Sequence, residues 1–161
     1  MFFSPTQGKL KQTDLIKEVA RFIEADAGSS YRLIIGSDSH LRSHNGQSKL
    51  KLVTAIVIHR VGHGGRYFWQ GKKVNQARSL RDKIYAETLV SLETAQKVLP
   101  KINRRLNGNG SYELEIHIDV GRAGETRDMI KEVVGMVTGN GFTAKTKPDS
   151  YGASKVADKH T

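Results

Sequence analysis

The chain has 161 residues, 37% of them hydrophobic, enough to bury one substantial core and too few for two to be expected. It contains no cysteine, which excludes disulfide scaffolds, thiolate zinc sites and thiol nucleophiles and fits a reducing compartment, so a cytoplasmic protein is expected. Twenty-six Lys and Arg against sixteen Asp and Glu give a formal charge of +10, which favours a polyanionic partner through field attraction and counterion release.

Residues 1–12 read as a flexible arm. Met1-Phe2-Phe3-Ser4-Pro5 lacks the regions of a signal peptide, and no apolar run approaches the roughly 20 residues of a membrane-spanning helix, so neither export nor membrane insertion is expected. Thr13 then precedes Leu15, Ile16, Val19, Phe22 and Ile23 at helical spacing, which predicts a helix stopped by Ala27-Gly28-Ser29-Ser30. Tyr31-Arg32-Leu33-Ile34-Ile35 predicts a buried strand that runs into Gly36-Ser37-Asp38-Ser39-His40, with an acid at its exit. A turn around Ser43-His44-Asn45-Gly46 leads to a second strand over residues 50–59, rich in β-branched side chains. Gly62, Gly64 and Gly65 permit a reversal into a third strand over 66–69.

Over residues 80–102, Ile84, Tyr85, Leu89, Leu92, Leu99 and Ile102 recur at helical intervals, predicting a long amphipathic helix that Pro100 bends or ends. Past the turn-forming residues 107–110, Tyr112, Leu114, Ile116 and Ile118 alternate with Glu113, Glu115, His117 and Asp119. This is the period of a half-buried strand with Asp119 on its polar face. A helix over 125–138, a short strand over 142–145 and a terminal helix over 151–159, opened by Pro148-Asp149-Ser150, complete the chain. Three strands joined by hairpins, then two reached through helical crossovers, describe an α/β domain with a mixed five-stranded sheet flanked by helices.

Three stretches carry a resemblance. Ile35-Gly36-Ser37-Asp38-Ser39-His40, Ile116-His117-Ile118-Asp119-Val120-Gly121 and Lys147-Pro148-Asp149-Ser150-Tyr151-Gly152-Ala153-Ser154 resemble the YkuK-like family, a poorly characterised group with a ribonuclease H-like fold, and the similarity covers the chain from about Tyr31 onward. The resemblance implies a ribonuclease H-like sheet and a carboxylate site holding two Mg²⁺ or Mn²⁺ ions that serve phosphodiester hydrolysis.

Asp38 follows an almost uninterrupted apolar strand, where a carboxylate is costly if buried and useful if it coordinates metal; the plainer reading is a turn residue. Asp119 ends another apolar strand, or is one more solvated acid beside Glu113 and Glu115. Glu87 borders the buried stripe of the long helix while Glu93 lies away from it. A generic helix carries such border glutamates, and the resemblance implies a metal-facing role for Glu87. It also implies a carboxylate on the terminal helix. Asp149 and Asp158 are both available, and because Asp149 has an adequate explanation as an N-cap, Asp158 completes the set Asp38, Glu87, Asp119 and Asp158.

His40, two residues past Asp38, is either an outer-sphere proton carrier or a satisfied turn histidine. The His40/His44 and His59/His63 spacings suit zinc on a helix, but they fall at strand ends and turns, so zinc is not expected. Neither a P-loop nor a serine-centred nucleophile elbow is present. Lys72, Lys73, Arg78 and Arg81, following Phe68 and Trp69, are the candidate contacts to a DNA, RNA or hybrid backbone; the alternative is a solvated loop with core aromatics behind it. The expectation is a metal-dependent nuclease. The rival is a non-catalytic nucleic-acid-binding module of the same fold, and a small-molecule phosphoesterase is a more distant third.

Overall fold

A computed structural model describes residues 1–44, 47–75 and 79–161. The chain runs β1 (Phe2–Ser4), β2 (Gly8–Leu10), α1 (Gln12–Glu24), β3 (Tyr31–His44), β4 (Gln47–Arg60), β5 (Gly64–Asn75), α2 (Leu80–Leu106), β6 (Glu113–His117), a 3-10 turn (Arg127–Met129), α3 (Ile130–Gly139), β7 (Thr143–Lys145) and α4 (Tyr151–His160). One mixed sheet has the order β2-β1-β5-β4-β3-β6-β7. β3, β4 and β5 form the antiparallel meander, and β6 and β7 join in parallel on the other side of β3.

The sheet therefore has seven strands rather than the five expected, and the two additions come from the residues read as a flexible arm. β1 and β2 form a hairpin, with Gly8 at φ +68°, and β1 pairs onto β5 through Phe3↔Trp69. Three-residue strands are too short to display a period of two, so no pattern in the sequence announces them. Burial of Phe2 holds the hairpin down.

The other differences have equally local causes. β3 does not end at Asp38: it continues to His44, with Asp38 paired to Val53 of β4. β5 likewise runs on through Lys72 and Lys73 instead of ending at Trp69. Pro100 lies inside α2 without ending it; the buried side chains of Ile102 and Leu106 carry the helix on to Asn107, which adopts the left-handed conformation at φ 47°.

Alternation along β3 sends Leu33 and Ile35 to one face and Ile34 to the other, and both faces are covered, as the continuous apolar run of this strand requires. On the first face, Leu33, Ile35, Ile56, Ile58 and Phe68 form the main core with α1, α2 and α3. On the second face, α4 lies against Ile34, Val53 and Ala55 through Ala153 and Ala157. This contact is close because the facing residues are small. A Cβ placed on Gly36 would stand 3.0 Å from Ala153 Cβ and 3.2 Å from the His117 carbonyl oxygen. Replacing Gly36 by Val is expected to push α4 off the sheet and to destabilise the fold by about 1–3 kcal/mol. Thermal denaturation reads this as a Tm lower by several degrees; an unchanged Tm would mean that the helix has room to spare.

Candidate metal centre

β3 and β6 are the neighbouring parallel strands between which the chain reverses its direction of travel across the sheet. From β3 it proceeds to β4 and β5 on one side, and it returns through α2 to β6 on the other. In open α/β sheets ligands gather at the carboxyl ends of strands at such a point. The last residue pair is Gly36↔His117. Past it β3 continues while β6 stops, and the departing chain is tied to the end of β7 and the residues after it by Ile118 N–H to the Lys145 carbonyl (2.9 Å) and Lys147 N–H to the Val120 carbonyl (2.8 Å). Asp38 thus lies on a stretch of strand whose neighbour has gone, where α2 on one face and α4 on the other both reach it.

Asp38 is only 7% exposed. Donor atoms of Asp38, His40 and Asp158 all lie within 4.8 Å of one another. Asp38 and His40 are two residues apart on one strand and so share a face, and α4 delivers Asp158 onto that face. Glu87 comes from α2 on the other side and is 3% exposed; its Oε1 accepts a hydrogen bond of 2.6 Å from Ser39 Oγ. Behind it, Ser37 Oγ lies 2.9 Å from Thr54 Oγ1 and 2.8 Å from Ser91 Oγ, a buried hydroxyl network that joins β3, β4 and α2.

Lys83, one turn before Glu87 on α2, places Nζ 3.8 Å from Asp38 Oδ1 and 3.7 Å from Glu87 Oε1. Asp119 stands in the loop after β6, partly exposed, with its Oδ1 2.8 Å from Lys147 Nζ. Asp38, Asp119 and Asp158 share the wall of a cavity of about 450 Å³ with Lys147 and Lys155.

Burial raises the Asp38 pKa, Lys83 and the Ser39 backbone oppose it, and the charges of Asp158 and Asp119 add to the rise. Burial also lifts Glu87 to about 7, against its Ser39 hydrogen bond and Lys83, with Asp38 and Asp119 again raising it. The acids therefore repel one another in a poorly hydrated place. Oxygen donors with one imidazole, strained by desolvation and like charge, are chemically fitted to a small divalent cation, which would relieve both costs.

Of the four acids read from the sequence, Asp38, Asp119 and Asp158 line one cavity, and Glu87 approaches Asp38 from the other side through Lys83. Asp149 is elsewhere. It lines a different cavity with Glu115 and His117, and the helix N-cap position falls on Ser150, so Asp149 does not take the capping position expected of it. Nor does β6 present a solvated polar face. Glu115 and His117 are buried beneath α4 with His117 Nε2 2.9 Å from Glu115 Oε2, and burial pulls the His117 pKa down despite that carboxylate.

The basic residues are dispersed. Lys72 and Lys73 are consecutive in β5 and point to opposite faces; Lys73 lies in a cross-strand row with Lys51 and His40, on the face of Asp38. Arg81 is held by Glu132 at 2.6 Å and lies over the Tyr85 ring. Arg78 lies outside the described residues. Lys83 is not among the residues singled out from the sequence; its spacing of four from Glu87 on one helix is the signal that links the two.

The ribonuclease H-like family profile matches residues 14–161. A protein of Bacillus subtilis (strain 168) named "Uncharacterized protein YkuK" is 33% identical over 170 residues, covering 100% of this chain and 96% of that protein. No solved structure matches the chain significantly.

The raised Glu87 pKa has a consequence for stability. Between its ordinary value of 4.5 and about 7 the unfolded chain releases this proton while the folded protein keeps it, so stability conferred by the protonated group is complete below 4.5 and is lost as pH rises through about 7. The loss is on the order of 3 kcal/mol. In chelator, the wild-type protein is therefore expected to melt lower at pH 8 than at pH 5, and Glu87→Gln to remove much of that difference. Equal pH slopes in denaturation curves of the two proteins would contradict the assignment.

Proposed function

The chain belongs to the ribonuclease H-like family, and from that premise we propose that it is a metal-dependent nuclease that hydrolyses phosphodiester bonds of a nucleic acid. The observation that carries this reading is the meeting of Asp38, His40 and Asp158 donor atoms within 4.8 Å, at the place where β3 and β6 part. Asp38, His40 and Asp158 are the residues that would hold a divalent cation, with Glu87 and Asp119 completing the acidic surround. A bound Mg²⁺ or Mn²⁺ supplies an activated water and neutralises charge on the attacked phosphate. The imidazole among the donors favours Mn²⁺ over the harder Mg²⁺.

The remaining work falls to the chain's own cations. Lys147 and Lys155 line the cavity beside the acids, where their ammonium groups meet phosphate oxygens and orient the strand. Lys51 and Lys73 extend positive charge across the same face of the sheet. With a formal charge of +10, recruitment of a nucleic acid is electrostatic and weakens as salt is raised.

One observation favours a second reading, a nucleic-acid-binding module without catalysis. Lys83 stands against Asp38 and Glu87, and Lys147 against Asp119, so three of the four acids have a protein cation beside them. The two readings separate on a panel of DNA, RNA and hybrid substrates incubated with Mg²⁺, with Mn²⁺ and with chelator. Metal-dependent cleavage is expected, reduced on the order of a hundredfold or more in Asp38→Asn and Asp158→Asn, with binding at low salt retained by both variants. Full turnover by either variant would refute the assignment, and binding without cleavage of any substrate would select the module.

A further inference from the structure

Lys83 sets a positive charge between Asp38 and Glu87. Its ammonium faces Asp38 Oδ1 at 3.8 Å and Glu87 Oε1 at 3.7 Å, and its side chain is only 26% exposed. It is the only Lys or Arg with an ion pair to either carboxylate among the described residues. The spacing of four on α2 sets it over Glu87.

The Glu87 side lies apart from the cluster of donor atoms. Asp38, His40 and Asp158 bring three donor atoms within 4.8 Å of one another, whereas the Glu87 carboxylate belongs to no such group among the described residues. Its Oε1 already accepts a hydrogen bond from Ser39. A divalent ion between Asp38 and Glu87 would lie against a positive charge that cannot leave its carboxylates without stranding them.

We infer that the centre binds a single divalent cation, at Asp38, His40 and Asp158, and that the Lys83 ammonium fills the second cation position between Asp38 and Glu87. The inference rests on the nuclease reading for its cation site and departs from the two-ion pattern that the family resemblance implies. Lys83 acts as a positioning residue: it sets how many metal ions enter and keeps a single positive charge on the Glu87 side of the cleft, where phosphate oxygens arrive.

Cation count tests this without any assay of cleavage. Mn²⁺ is titrated into the metal-stripped full chain, and the electron paramagnetic resonance signal of free Mn²⁺ gives the number bound. The wild type and Lys83→Arg are expected to hold one ion and Lys83→Met two, with Lys83→Gln as a second neutral variant should Lys83→Met fold poorly by circular dichroism. Adding Asp158→Asn is expected to abolish binding in the wild-type background and to leave one ion in the neutral-83 background. Two ions on the wild type, or no gain on neutralising Lys83, would overturn the inference while leaving the nuclease reading intact. No Mn²⁺ on any of these proteins would overturn the cation site itself, and both proposals with it.

Discussion

The parting of β3 from β6 after Gly36↔His117 is the constraint on which the site depends. While two strands are paired, their edges are closed by backbone hydrogen bonds and nothing can enter between them. One residue pair later the edge of β3 is open, and helices from opposite faces of the sheet can address the same carboxylate. Asp38 stands two residues into the open stretch, near enough to the rigid ladder to be held and far enough to be reached. Its pairing with Val53 on the other side keeps the strand straight through the gap.

Burial sharpens the chemistry of that gap. A carboxylate at an exposed strand end would be hydrated and indifferent to its neighbours, whereas Asp38 and Glu87 are desolvated enough for Glu87 to feel Asp38 and for a single ammonium to matter to both. The hydroxyls of Ser37, Thr54 and Ser91 make a polar floor of matched partners beneath Glu87, so the group is buried without being surrounded by hydrocarbon.

The main architecture was legible because it is written in long periodic runs. The meander, the long helix, the two crossovers and the terminal helix each carry several apolar residues at the right interval, and Leu33-Ile34-Ile35 reads as two-sided burial. The N-terminal hairpin was illegible because its strands hold three residues each and their anchor is a single buried side chain, Phe2. Within the site, Asp38 and Asp119 stood out as acids at the ends of apolar runs, but the extension of β3 beyond Asp38 did not, since residues 39–44 hold one apolar side chain, Leu41, too few to show a period. Glu115 and His117 were misread for a related reason: alternation shows which residues share a face, not whether a later helix will cover it. The separation of Asp149 from Asp158 depends on how α4 docks, and that rests on Gly36 meeting Ala153, a contact between residues more than a hundred positions apart.

That docking has a further consequence. The apolar contact of α4 with the sheet is small, made by Ala153 and Ala157 on Ile34, Val53 and Ala55, whereas α1, α2 and α3 share the large core. α4, which packs on this smaller second core, is the helix that carries Asp158. If Asp38, His40 and Asp158 hold a cation as proposed, cation occupancy and helix attachment are two linked equilibria: a bound ion would tie the end of the chain to β3, and an excursion of the helix would remove one of its ligands. Amide protons of α4 would exchange with solvent at a rate set by ion concentration, making the terminal helix a reporter of the centre it helps to build.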